Sequence, residues 1–190
     1  MKPVFLIGYM GCGKTTLGEA LAREMDLTYI DLDQLIEHEN SMTITQIFEE
    51  LGENRFREIE EAALIELTAM TDVIVGCGGG TPCHGKNMEL MNQNGTTVWL
   101  TTSPERITAR LLLPEEKCKR PKVSILPDEA ILPFVERELE ERTPCYSQAK
   151  LQFDSTDIET AAATRRTAKR LAAFLESRSL SSKHENALAQ

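Results

Sequence analysis

The sequence predicts an α/β fold, a parallel sheet covered by helices on both faces. Three observations predict it. Short apolar runs alternate with longer stretches of helical periodicity, the pattern of successive βαβ units. The first run, Val4-Phe5-Leu6-Ile7, leads directly into Gly8-Tyr9-Met10-Gly11-Cys12-Gly13-Lys14-Thr15, which satisfies G-x-x-x-x-G-K-[ST] in the strand–loop–helix context that this motif requires. Polar residues or glycines also stand at the ends of three strand-like runs, on the side where open parallel sheets bind ligands. A chain of 190 residues is expected to form one domain, here placed at 1–176, with 177–190 a polar, disordered tail.

The elements follow in order. Strands are expected at 4–7, 28–32, 73–75, 97–100 and 151–153. The second ends in Asp31-Leu32-Asp33, and the third runs into Gly76-Cys77-Gly78-Gly79-Gly80. A helix should follow the first loop, from Thr16 through Arg23. Thr43-Ile44-Thr45-Gln46 reads as a capping box opening a helix that Gly52 would close. Phe56, Ile59, Ala63 and Leu67 then recur at helical spacing and mark a buried face. Ser103-Pro104-Glu105 supplies an N-cap, a first-turn proline and an early acid for a helix to about Leu113. The stretch 114–127 holds three prolines and several charges without periodicity, so it reads as a mobile loop. Pro127-Asp128-Glu129 starts a helix expected to end near Arg142, before Thr143-Pro144. A last helix is expected over about 157–175, with Ala161, Ala168, Leu171 and Leu175 on one side.

Composition narrows the function classes. The formal net charge is −9, which argues against a general nucleic-acid or anionic-membrane surface. Lys117, Lys119, Arg120 and Lys122 run locally against that sign. Cysteines at 12, 77, 83, 118 and 145 show neither zinc spacing nor a disulfide framework and suggest a reducing compartment. With no apolar run of membrane length and no leader ahead of the first strand, the cytoplasm is the expected location.

The chemistry concentrates in a few residues. Loop glycines let the backbone curl around a phosphate with its N–H groups inward, and the following helix start adds unpaired donors. Lys14 would reach the β and γ phosphates, and the Thr15 hydroxyl would sit on Mg²⁺. Cys12 reads as a small space-filler within the loop. Asp31 and Asp33, alternating along an extended strand end, could both point into the crevice. One carboxylate could hold a water on the metal while the other deprotonates an attacking hydroxyl; alternatively, Asp33 merely caps the next helix. Gly78-Gly79-Gly80 implies close approach of a ligand to backbone, or else a flexible turn. Arg57, three residues from Glu60 on one helical face, could present a planar fork to a carboxylate, and so could Arg142. Arg120 could be delivered by a closing lid to charge developing on a transferring phosphoryl group.

Together these pieces resemble a shikimate kinase over about residues 3–175. The resemblance rests on the loop at 8–15, Asp31-Leu32-Asp33, Phe56-Arg57 with Ile59-Glu60-Glu61, the triple glycine, Arg120-Pro121, and Arg142-Thr143-Pro144-Cys145-Tyr146. It implies a phosphate-loop fold related to nucleoside-monophosphate kinases. The sheet would have five parallel strands in the order 2-3-1-4-5, with a mobile lid at about 114–126. The implied reaction is MgATP-dependent phosphorylation of the 3-hydroxyl of shikimate, a step in aromatic amino acid biosynthesis, by a monomer. By similarity the backbone of Gly11, Cys12, Gly13, Lys14, Thr15 and Thr16 would hold the phosphates. Thr15 and Asp31 would hold Mg²⁺, the latter through water. Asp33, Arg57, Gly78, Gly79, Gly80 and Arg142 would bind shikimate, with both arginines on its carboxylate. Asp33 (as base), Lys14 and Arg120 would carry the catalytic roles, and Arg110 would stack near the adenine.

Three departures from the family pattern stand out. Gly76 occupies a position usually held by a serine near the metal, Lys122 replaces a usual leucine, and Glu115-Glu116-Lys117-Cys118 lengthens the lid. The rival readings are a gluconate kinase of the same build and a regulatory nucleotide switch. The latter is weakened because no Asn-Lys-x-Asp guanine-reading motif is present.

Overall fold

The computed structural model describes the backbone of residues 1–188 and the side-chain surroundings through residue 178. Five strands form one sheet: β1 (Val4–Ile7), β2 (Thr28–Asp31), β3 (Val73–Gly76), β4 (Thr96–Thr101) and β5 (Leu151–Asp154). They lie in the order β2-β3-β1-β4-β5, and all neighbours are parallel. The central strand β1 is buried at every position, as expected for a strand covered on both faces.

The two-residue period of the strands divides the core in two. Phe5, Ile7, Val73 and Val75 face one layer. There they meet α2 (Leu32–Asn40), α3 (Ile44–Thr68), α4 (Asn87–Asn94), α5 (Pro104–Leu111) and the long helix Asp128–Tyr146 through Ile36, Phe56, Met91, Ile107 and Val135. Val4, Leu6, Ile74 and Val98 face the other, against α1 (Lys14–Met25) and the C-terminal helix, Ala161–Leu188, through Leu17, Leu21, Leu171 and Leu175.

The start signals for two helices operate as the sequence implies. Thr43 and Gln46 close a reciprocal capping box, Gly52 breaks α3 at φ 80°, and Ser103 accepts from the Arg106 amide.

Four boundaries differ from expectation. The second strand stops at Asp31, and Leu32 and Asp33 belong to α2, because the Asp31 carboxylate caps that helix by accepting from the amides of Asp33 and Gln34. The stretch 114–127 is not irregular. It contains two short helices, α6 (Pro114–Lys117) and α7 (Pro121–Ser124), each opened by a proline at its first position, and Val123 is fully buried against the core. The next helix, α8 (Asp128–Tyr146), passes through Pro144 instead of stopping at Arg142. Pro144 forgoes only its own amide bond, the turn closes through the Ser147 amide on the Thr143 carbonyl at 2.9 Å, and the buried Tyr146 anchors the end. The final helix, α9, begins at Ala161 and continues past 175 to Leu188. No proline or glycine interrupts residues 177–188, and extending an existing helix is easier than nucleating a new one. Residues 189 and 190 of the expected tail lie outside the described residues.

Candidate active site

Parallel pairing brings the three polar strand ends to one edge of the sheet. Gly76 is in register with both Leu6 and Asp31, so the loop after β1, the cap of α2 and the glycine run after β3 open into the same crevice. A cavity of about 650 Å³ lies there, lined by Lys14, Thr15, Asp31, Asp33, Gly79 and Arg120 among others. A second crevice of about 720 Å³ continues from it along α1 and α9, sharing Thr15, Thr16, Ile158 and Glu159.

The end at the phosphate loop is built mostly from backbone. Gly11 and Gly13 adopt φ of 75° and 96°, left-handed values that let the loop turn its amides inward. A methyl group on Gly13 would also lie 2.1 Å from Ile158 Cδ1. Lys14 Nζ donates to the carbonyls of Gly8 (2.8 Å) and Tyr9 (3.0 Å), folded back over the loop that it closes. Cys12 is buried, and its carbonyl accepts from the Ser155 hydroxyl at 2.7 Å. Arg110 braces the same loop. Its guanidinium donates to the Gly11 carbonyl (2.8 Å), the Thr156 carbonyl (3.1 Å) and Glu159 (2.8 Å), which directs its donors onto the loop and onto the segment before α9. Thr15 Oγ1 donates to Asp31 Oδ2 at 3.3 Å.

The opposite end is built from side chains of distant segments, and each of the three glycines faces one of them. A methyl group on Gly78 would lie 3.0 Å from Asp33 Oδ1, one on Gly79 would lie 3.3 Å from Arg142 Nη1, and one on Gly80 would lie 3.3 Å from Arg57 Nη2. The run 78–80 therefore touches a carboxylate and two guanidiniums, and side chains there would fill the space between them. Arg57 is held by Glu60 (2.9 Å) and Glu53 (3.1 Å), and its guanidinium stacks 5.0 Å from the Phe56 ring centroid. Arg142 is ion-paired with Glu138 and lies 5.3 Å from the Tyr9 ring centroid. Tyr146 donates its hydroxyl to the Gly79 carbonyl at 2.6 Å.

Asp33 reaches this cluster from the first turn of α2 and not from an extended strand end. Burial pushes its carboxyl up to about 6, reinforced by Asp31 and Glu60, while Lys14 pulls it back down. A carboxyl tuned this way is ionised near neutral pH and still able to take a proton. Arg120, at the start of α7, is held by Glu116, donating to its carboxylate at 2.6 Å and to its carbonyl at 2.7 Å, and it borders the same cavity.

Glu60, Glu138 and Tyr146 hold the acceptor-side groups in place, yet sequence reasoning assigned none of them a role in the site beyond mutual support between Glu60 and Arg57. For Glu138 the signal was available: it lies four residues before Arg142 on one helix. Glu60 gives no local sign that it is buried between Arg57 and the Thr81 hydroxyl, which donates to it at 2.6 Å.

The parallel sheet, the loop at 8–15 and the arginine beside it define a phosphate-loop kinase. Comparison with known proteins carries the assignment further. A family model described as "Shikimate kinase" matches residues 10–175. A shikimate kinase of Phocaeicola vulgatus is 46% identical over 159 residues, covering 84% of this chain and 90% of that protein. One from Bacteroides thetaiotaomicron is 39% identical over 176 residues, covering 93% and 99%. Among solved structures, the crystal structure of shikimate kinase from Bacteroides thetaiotaomicron aligns with a TM-score of 0.87 at 38% identity, covering 92% of this chain and 98% of that one. Shikimate kinase from Acinetobacter baumannii in complex with shikimate aligns at 0.77 and 32%, covering 94% of each. The chain belongs to the shikimate kinase family.

Proposed function

We propose that this chain transfers the γ-phosphoryl group of ATP to the 3-hydroxyl of shikimate, giving shikimate 3-phosphate and ADP. The observation that supports it most is the placement of Asp33, Arg142 and Arg57 against three successive glycines, directly beside the phosphate loop. Two cationic forks side by side suit a carboxylate. Asp33, ionised above about pH 6, takes the proton of the attacking hydroxyl. The acceptor oxygen forms a bond to the γ-phosphorus, the bond to the β–γ bridging oxygen breaks, and its electron pair leaves with ADP. Lys14 and Arg120 balance charge on the phosphoryl group in flight. Because little covalent work falls to the protein, most of the rate enhancement comes from position and electrostatics.

Thr15 and Asp31 fit a magnesium ion: a hydroxyl and a carboxylate, both hard oxygen donors, stand 3.3 Å apart beside the loop. Mg²⁺ favours such sparse protein ligation, completed by phosphate oxygens and water. When bound, it would supply neutralisation of charge on the phosphates. Arg110 and the crevice along α1 and α9 suit the base end of the nucleotide.

Among the described residues no helix is long and apolar enough to cross a membrane. A cytoplasmic location with no nucleic-acid partner fits the acidic chain and the five free thiols; a monomer is what the family resemblance implies. Coupled ADP release, run with shikimate and with gluconate and with or without Mg²⁺, tests the proposal. Turnover is expected with shikimate alone and only with the metal; comparable turnover on gluconate would sink the acceptor assignment.

A further inference from the structure

Tyr29 occupies an unusual position. It lies on β2, and two glycines make room for its ring. A methyl group on Gly18 would fall 2.4 Å from Tyr29 Cε2, and one on Gly76 would fall 2.2 Å from its hydroxyl oxygen. The hydroxyl thus sits where any side chain at position 76 would begin. From there it donates to Asp31 Oδ2 at 3.3 Å, the oxygen that also accepts from Thr15. The other oxygen, Oδ1, is committed to the cap of α2, accepting from the amides of Asp33 (3.2 Å) and Gln34 (3.4 Å). Asp31 is therefore oriented from both sides: the helix start holds one oxygen, and Tyr29 donates to the one that also accepts from Thr15.

We propose that Tyr29 is a positioning residue for the Thr15–Asp31 pair, its hydroxyl reaching Asp31 through the space that Gly76 leaves open. The inference rests on the reading of that pair as the magnesium side of the nucleotide site. The chemistry suits the role. A phenol hydroxyl is an uncharged donor. A neutral donor fixes the direction of the carboxylate without cancelling its charge, which a lysine or arginine in the same place would do. Donors of this kind behind a metal-binding carboxylate typically matter ten- to a hundredfold for metal affinity.

The test uses ADP binding by calorimetry on the full chain, with and without Mg²⁺, so that no acceptor or turnover is needed. In Tyr29→Phe the tightening of ADP binding produced by Mg²⁺ should shrink by about tenfold, while metal-free ADP binding stays unchanged. Gly76→Ser alone should bind worse than the parent, since its Cβ collides with the Tyr29 hydroxyl. The double variant Tyr29→Phe with Gly76→Ser should recover most of the magnesium increment, the hydroxyl now arriving from the neighbouring strand β3. An unchanged increment in Tyr29→Phe, equal losses with and without Mg²⁺, or no recovery in the double variant would each overturn the proposal. Failure to phosphorylate shikimate would bear on the acceptor reading and leave this result standing.

Discussion

Two parts of the candidate site are built by different means. The phosphate-loop side centres on one continuous stretch, 8–15, shaped by left-handed glycines and braced from outside by Arg110 and Asp31. The side proposed to take the acceptor is assembled from four stretches, at 33, 57, 78–80 and 142, and consists of charged side chains, the two arginines among them held by ion pairs. A backbone cradle tolerates exchange of the side chains around it but not of its glycines or of Lys14. A side-chain clamp is tunable residue by residue, and each member relies on a partner elsewhere in the chain.

That contrast predicts separable failures. The largest should be Lys14→Ala, which removes the only loop cation: kcat/KM should fall by about 3–5 kcal/mol of transition-state stabilisation in coupled ADP release. Near-normal turnover would exclude the role assigned to it. Asp33→Asn should lower kcat to a similar extent, and the acid limb of the pH–rate profile, expected near pH 6 for the parent, should disappear.

The same variant should be more stable, by a sign that can be worked out. The folded pKa of Asp33 is raised above its unfolded value, so its contribution to stability is fully present below about pH 4 and is lost as pH rises through about 6. Above that window the ionised carboxylate costs on the order of 3 kcal/mol. Asp33→Asn should therefore raise the denaturation midpoint at pH 8 and change it little at pH 4; equal shifts at both would contradict the desolvation argument.

A smaller effect sharpens the comparison within the clamp. Arg57→Ala and Arg142→Ala should each raise the KM for shikimate by about tenfold or more with ATP binding intact, as for loss of a charged hydrogen-bonding group. They should differ in stability. Glu60, the partner of Arg57, has only 1% of its side chain exposed, against 14% for Glu138. Removing Arg57 strands a buried charge and should cost about 3 kcal/mol in chemical denaturation, clearly more than removing Arg142. Smallest of all should be Gly79→Ala, whose methyl meets the movable end of Arg142 at 3.3 Å: a few-fold rise in shikimate KM, no change for ATP. An equal rise for both substrates would mean that the two ends are not independent.

The legibility of the site follows the same division. The strands, the loop and the capping box depend on neighbours a few residues away, and they stand within one or two residues of where periodicity and capping chemistry place them. Asp33 was identified through the wrong geometry. Its path into the crevice is set by the Asp31 cap, which ends β2 early and turns residue 33 on the first turn of α2. The order of 114–124 was also missed. Two prolines that read as loop formers serve there as first helical residues, and Val123 is pulled into the core by a contact that no local pattern announces.

What the chain alone determined is therefore its short-range physics: which segments extend or coil, where a phosphate could nest, and which charged residues were available. Tertiary structure decided what those charges do. It half-buried Asp33 near Asp31 and Glu60, set Arg57 and Arg142 against consecutive glycines, and placed the Tyr29 hydroxyl in the space left by Gly76. Backbone preference acts over a few bonds, whereas desolvation and side-chain direction arise only when parts of the chain far apart in sequence are packed together.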